Sequence, residues 1–142
     1  MPDRERIIQV VGEWTAKAEN DLKTATHTLI LGAECPTDTV CFHAQQCIEK
    51  SIKAYLASRN IDFPKTHDLG RLISLMPKNV RPKLSVPEQR RFTAYATEAR
   101  YPGNFEEISL TEARRAVALA RRVRKEIGKH LSKVTTVPLL CE

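Results

Sequence analysis

The sequence predicts an all-α protein, folded as an antiparallel up-and-down four-helix bundle with one additional short helix. Three observations predict this class. Apolar residues recur at helical spacing in four long segments. No segment has a sustained two-residue alternation of apolar and polar positions together with strand-forming residues. Glycines and prolines fall between the helical segments, and short links favour antiparallel neighbours.

The first two helices are predicted from these patterns. The first runs from about Asp3 to Leu31, where a glycine and a proline end it. Its apolar positions at helical spacing are Ile8, Val11, Ala18, Leu22, Ala25 and Leu29. The second runs to about Ser58, and its N-cap candidates are Thr37, Asp38 and Thr39.

A short third helix is predicted to begin at residues 66–68. Thr66 is the expected cap, and Asp68 favours the positive end of the helix dipole. The helix ends before Pro77, because residues 77–87 contain three prolines and are predicted to form a loop.

The last two long helices follow that loop. The fourth is predicted from Pro87 to about Ala99, with the turn 101–104 after it. It buries Phe92, Tyr95 and Ala96. The last runs from Thr111 to Lys133 and presents its apolar face to the core through Ala113, Ala116, Val117, Ala120, Val123, Ile127 and Leu131.

Length and composition bound the class of protein. A chain of 142 residues, 42% of them hydrophobic, suits one globular domain, predicted over residues 1–133 with a flexible tail over 134–142. No segment has the length of a membrane span and residues 1–6 do not resemble a signal peptide, so we predict a cytoplasmic protein. Its four cysteines contain no CxxC pair and are expected to be free thiols.

The net charge of +6 is concentrated in the last helix. Thr111–Lys133 contains eight basic and two acidic residues, which leaves the rest of the chain neutral. A basic stripe is formed by Arg114, Arg121, Arg122, Lys125, Lys129 and Lys133. It favours a polyanion or an acidic protein surface, with a solvated helix face as the alternative. Without aromatic residues on this helix, we expect no sequence-specific reading of nucleic acid.

The second helix has two different faces. At about 100° per residue, its apolar face comprises Cys41, Ala44, Ile48, Ile52, Tyr55 and Leu56. The opposite face is a polar row of His43, Gln46, Lys50 and Lys53. Together with Arg100 and Tyr101 after the fourth helix, the cations His43, Lys50 and Lys53 are predicted to bind a ligand. Arginine grips phosphate and tyrosine stacks on a base.

Local pairing is the alternative to a ligand for two of these residues. Lys53 follows Glu49 by one helical turn, so the two side chains can form an ion pair. Arg100 can donate hydrogen bonds to the carbonyls at the end of its own helix.

Three motifs follow one another along this all-helical chain. They are Phe42–Gln46 leading to Glu49–Lys50 and Lys53–Leu56, then Thr66–Leu69, then Ala99–Gly103. Together they resemble the HEPN family of small all-helical domains. The resemblance covers about Trp14 to Leu131. It implies an antiparallel four-helix bundle, commonly a homodimer with a cleft between protomers. Members of the family are often encoded beside a small nucleotidyltransferase, as toxin and antitoxin or as a nucleotide-handling complex.

Many other HEPN proteins are metal-independent ribonucleases that carry an arginine, four to six residues and then a histidine. Arg124 and His130 form the one pair here with this spacing, and are the candidate catalytic residues. The histidine can move a proton and the arginine can stabilise the phosphate. Six helical steps place the two side chains about 120° apart, which argues against a preformed pair.

Other chemistries lack support in the sequence. Cys41, His43 and Cys47 have no evident fourth metal ligand, and His67 is predicted to be structural at a helix start. The glycines are scattered, so no phosphate-binding loop is present, and no serine-hydrolase elbow occurs. We predict no metal and no cofactor.

The sequence therefore predicts a HEPN-type domain that binds nucleotide, partners a nucleotidyltransferase in a toxin–antitoxin-like pair, or does both. The alternative is a metal-independent endoribonuclease, an RNA-cleaving toxin that uses Arg124 and His130. A third hypothesis is a structural helper that binds another protein through the basic last helix.

Overall fold

A computed structural model describes residues 3–99, 101–103 and 106–131 of the chain. It contains five α-helices, α1 Arg4–Leu29, α2 Thr37–Ser58, α3 Leu69–Ser74, α4 Val86–Thr97 and α5 Leu110–Leu131, with 3₁₀ turns at Gly32–Glu34 and Lys78–Val80. No strand occurs in these ranges, which confirms the all-α class. Lys133 and the predicted tail, residues 134–142, lie outside the described residues.

The four long helices alternate in direction, as an up-and-down bundle requires. Asp21 on α1 pairs with Lys50 on α2, while the earlier Trp14 packs against Phe63 just beyond α2, so these helices are antiparallel. Helix α5 runs parallel to α2. It begins where Thr37 donates a hydrogen bond to the Ile108 carbonyl, and near its end the rings of His130 and Tyr55 meet.

Helix α4 runs antiparallel to α5. Arg122 on α5 donates to the carbonyl of Lys83, just before α4, whereas Tyr95 near the end of α4 donates to Glu112 at the start of α5. The short helix α3 packs on α4, and Thr93 of α4 accepts a hydrogen bond from the Leu69 backbone. The predicted four-helix bundle with a short extra helix is confirmed.

Helix α2 occupies the centre and packs against all four other helices. Its entire predicted apolar face is buried, namely Cys41, Ala44, Ile48, Ile52, Tyr55 and Leu56. Small residues on the two helices are buried, including Ala18 and Ala25 of α1 and Ala44 and Cys47 of α2. Small side chains allow the two helix axes to approach closely.

The helix starts differ from the predictions in their capping chemistry. Asp68, rather than Thr66, caps α3 by accepting from the Arg71 backbone. Helix α2 has Pro36 at its cap position, and proline has no side-chain acceptor, so none of the three predicted residues caps the helix. The hydroxyl of Thr37 donates to the Ile108 carbonyl just before α5. Helix α5 begins one residue earlier than predicted, where Ser109 accepts from the Glu112 backbone.

The side of α2 opposite its apolar face is less exposed than its polar residues predict. Gln46 and Lys53 are buried, as are Gln45 and Glu49. The helical period places these residues away from the apolar core correctly, but α1 and the segment after α2 cover them. Their polar groups therefore pair inside the protein rather than with water.

Two further sequence predictions concern the membrane and the thiols. No helix in the described part of the chain is long and apolar enough to cross a membrane. Cys35, Cys41 and Cys47 are free thiols, as predicted. Burial raises the pKa of Cys41 and Cys47 to about 12, so both thiols stay protonated at neutral pH and are poor nucleophiles.

Candidate functional site: the polar seam between helices α1 and α2

Polar side chains fill one edge of the contact between α1 and α2. We call this group the polar seam, and it consists of Asp21, His43, Gln45, Gln46, Glu49, Lys50, Lys53 and His67. Two carboxylates organise it, Asp21 from α1 and Glu49 from α2.

The Asp21 cluster joins one carboxylate to two basic side chains. Asp21 Oδ1 lies 2.8 Å from His43 Nδ1, and Asp21 Oδ2 accepts from Lys50 Nζ at 2.7 Å. His43 and Lys50 are seven residues apart, two helical turns, so both project from α2 toward α1. Their side chains are 26% and 21% exposed, whereas that of Asp21 is 11% exposed. The cluster therefore presents its basic groups to solvent and its carboxylate inward.

The Glu49 cluster is more deeply buried. Glu49 Oε2 accepts from Lys53 Nζ at 2.9 Å, and Glu49 Oε1 lies 2.8 Å from His67 Nδ1. Gln45 and Gln46 also donate to Glu49 Oε1, at 3.0 and 3.3 Å. Gln45 additionally donates to the carbonyl of His67 at 3.2 Å. These bonds attach the segment before α3 to the middle of α2.

Hydrogen bonding keeps the Glu49 carboxylate charged in this buried position. Burial by itself raises the pKa of Glu49, but donation from His67, Gln45 and Lys53 outweighs burial and holds that pKa below its ordinary value. A buried charge of this kind is tolerated only while its partners remain in place.

Lys53 connects the polar seam to two aromatic rings. Its ammonium lies 5.4 Å from the centre of the Trp14 ring and 5.8 Å from that of Phe63, within cation–π range. The two rings meet edge to face, with centroids 6.2 Å apart. Beyond them, the end of the seam opens into a pocket.

The structure brings together only part of the predicted ligand set. His43 and Lys50 share Asp21, while Lys53 forms the local ion pair with Glu49 that was the alternative to ligand binding. Tyr101 is 62% exposed and lines a pocket with Pro36 and Thr37 at the start of α2. Lys53 lies sixteen residues further along that helix, about 24 Å away along the helix axis. Arg100 lies outside the described residues.

The two predicted catalytic residues contact different helices. Arg124 Nη1 lies 2.7 Å from Glu19 Oε1 of α1, in a half-buried ion pair. The His130 ring packs edge to face on Tyr55 of α2, with centroids 6.3 Å apart. The two side chains were expected to point about 120° apart on their helix. In the structure Arg124 accordingly contacts α1 and His130 contacts α2.

Sequence reasoning missed two of the groups that build the seam. Asp21 was not singled out, although it stands between Ala18, Leu22 and Ala25 on the apolar face of α1. An acid at such a position signals a buried partner. His67 was predicted to orient a helix start, but its side chain reaches Glu49, eighteen residues earlier. No local spacing rule detects that contact.

A metal centre receives no support from the geometry. Among the described ranges, no group of three or more His, Cys, Asp or Glu side chains is arranged to hold an ion. This includes Cys41, His43 and Cys47, of which His43 is instead bonded to Asp21.

Comparisons with known proteins agree with the all-helical bundle. The model of the HEPN domain family matches residues 11–131. The crystal structure of an archaeal HEPN homologue superimposes with a TM-score of 0.62 at 22% identity, over 88% of this chain and 98% of the archaeal one. At that identity the likeness shows a shared fold. None of the curated proteins compared with this chain matches it. Since the family model spans most of the sequence, the protein belongs to the HEPN domain family.

Proposed function

We propose that this HEPN domain is a nucleotide-binding module that acts as a homodimer and as the partner of a nucleotidyltransferase in a toxin–antitoxin-like pair. The observation that carries the nucleotide part is the Asp21 cluster, in which two basic side chains share one carboxylate.

The chemistry of that cluster suits a phosphate group. Lys50 has three N–H donors and uses one for Asp21, which leaves two for a phosphate oxygen. The ring of His43 lies beside it on the other oxygen of the same carboxylate. Asp21 also holds both side chains in position, which lowers the entropy cost of binding a phosphate between them.

The outer face of α5 supports a partner with an acidic surface. Its basic side chains are exposed, namely Arg114, Arg115, Arg121, Arg122, Lys125 and Lys129. Complementary charge of this kind increases the association rate and selects partners of opposite sign.

Removing either basic side chain of the Asp21 cluster is expected to weaken nucleotide binding. We expect Lys50→Ala and His43→Ala each to raise the Kd for ATP about tenfold or more, because each loses a charge-assisted hydrogen bond. Isothermal titration calorimetry with ATP, AMP and inorganic triphosphate measures the affinities. Circular dichroism checks that each variant is folded.

The matched control is Lys23→Ala, which removes an exposed lysine from α1. Wild-type protein that binds none of the three anions, or an equal loss in Lys23→Ala, would overturn the nucleotide site. Coexpression with the product of the neighbouring reading frame tests the partner part. Coelution with a nucleotidyltransferase supports it, and a partner that does not coelute contradicts it.

The ribonuclease alternative is opposed by the position of Arg124. Its ion pair with Glu19 must break before the guanidinium can reach an RNA phosphate. We therefore expect no cleavage of end-labelled single-stranded or hairpin RNA, with or without chelator. Chelator-resistant cleavage that is lost in both Arg124→Ala and His130→Ala, with the fold retained, would establish the ribonuclease instead.

A further inference from the structure

A pocket lies at the end of the polar seam, where α1 begins and α2 ends. We call it the end pocket, and its apolar walls are Ile7, Val10, Trp14, Ala57, Ile61 and Phe63. Its volume is about 320 Å³, at the lower end of the range for small-molecule sites. Arg6, Asn60 and Asp62 supply polar groups at its rim. Mostly apolar walls with a few polar groups are typical of ligand pockets.

The two aromatic walls of the end pocket suit a flat ring. Trp14 and Phe63 are inclined at 65° to one another, so a planar ligand can stack on one and meet the edge of the other. The ammonium of Lys53 lies over both rings, and Glu49 holds that ammonium in place. The aromatic walls are therefore positioned before any ligand arrives.

The end pocket and the Asp21 cluster lie on the same edge of the α1–α2 contact. Trp14 and Asp21 are seven residues apart on α1, which corresponds to about 10 Å along the helix. Ala57 and Lys50 have the same separation on the antiparallel α2. A ligand with an aromatic ring at one end and phosphates at the other can span the two sites.

We propose that the end pocket binds the base of a nucleotide whose phosphates are held by His43 and Lys50. This inference rests on the proposed nucleotide binding and assigns the base and the phosphates to separate places. Inorganic triphosphate then occupies the Asp21 cluster alone, whereas ATP occupies both places.

The protein's single tryptophan, Trp14, provides a direct readout. We expect ATP to change the fluorescence of Trp14 in a saturable manner, with the same Kd as calorimetry gives. Inorganic triphosphate is expected to bind by calorimetry and to leave that fluorescence unchanged.

A variant that fills the end pocket separates the two places. Ala57→Phe is expected to raise the Kd for ATP about tenfold or more, the value of a lost base stack, and to leave the Kd for triphosphate unchanged. The matched control Ala16→Phe adds the same ring to the exposed side of α1 and should change neither Kd. If Ala57→Phe does not fold, Ile61→Ala is the second variant. It removes part of the pocket wall and should weaken the binding of ATP but not that of triphosphate.

The outcomes distinguish this inference from the function on which it rests. If ATP binds by calorimetry but neither changes the fluorescence of Trp14 nor depends on Ala57 or Ile61, the end pocket is not a base site and nucleotide binding stands. If neither ATP nor triphosphate binds, both proposals are wrong.

Discussion

Replacing Glu49 with alanine is expected to lower the free energy of unfolding by about 3–5 kcal/mol, because it breaks a buried ion pair from one side. The Glu49 side chain is 4% exposed and that of Lys53 is 9% exposed, so water replaces the lost carboxylate poorly. Donors on Gln45 and His67 lose the same acceptor. Urea denaturation followed by circular dichroism measures the change.

The pH dependence of that loss follows from the lowered pKa of Glu49. A carboxyl whose pKa is lower in the folded state stabilises the fold above its unfolded pKa, about 4.3. That contribution disappears as the pH falls through the folded pKa. The difference in stability between wild type and Glu49→Ala should therefore be full at neutral pH and shrink below about pH 4.

The matched control for this substitution is Glu13→Ala, which removes an exposed glutamate from the middle of α1. Surface changes of this kind cost within about 0.5 kcal/mol. An equal loss in the two variants, or a loss in Glu49→Ala that does not change with pH, would contradict the structural role given to the Glu49 cluster.

Truncating Ile48 is expected to have the second-largest effect on stability. Ile48 is completely buried on the apolar face of α2, the helix that packs against all the others. Ile48→Ala removes buried methyl groups and leaves a cavity, which costs about 2–5 kcal/mol. Thermal or urea unfolding measures the loss.

Ile30 at the end of α1 provides the comparison, since its side chain is 76% exposed. Ile30→Ala makes the same chemical change and should alter the free energy of unfolding by no more than about 0.5 kcal/mol. Similar losses at the two positions would mean that α2 does not occupy the centre of the core.

The core could be predicted from the sequence because burial follows the helical period. All seven residues predicted for the apolar face of α5 are buried, from Ala113 to Leu131. The glycines and prolines between the helical segments predicted where one helix ends and the next begins. The exact start of a helix was less predictable, since Thr66 and Asp68 are both good caps by type and only their positions in the fold select Asp68.

The candidate site was predicted only in part, because helical spacing relates residues of the same helix only. Lys53 and Glu49 are one helical turn apart on α2, and their ion pair was foreseen as the local alternative. Asp21 and Lys50 are 29 residues apart in the chain, and His67 and Glu49 are 18 apart. Local spacing carries no information about such partners.

Periodicity and motifs predicted the helical class, the core faces of α2, α4 and α5, the basic stripe of α5 and the resemblance to the HEPN family. On α1 the prediction was wrong at Ile8, because its neighbour Ile7 packs on the core instead. These properties depend on periodicity, composition and short motifs, which are local. The packing of the helices sets which opposite charges meet. It directed Arg124 to Glu19 and joined His43 and Lys50 through Asp21. Those pairings depend on how α1, α2 and α5 pack, because each joins side chains from two different helices.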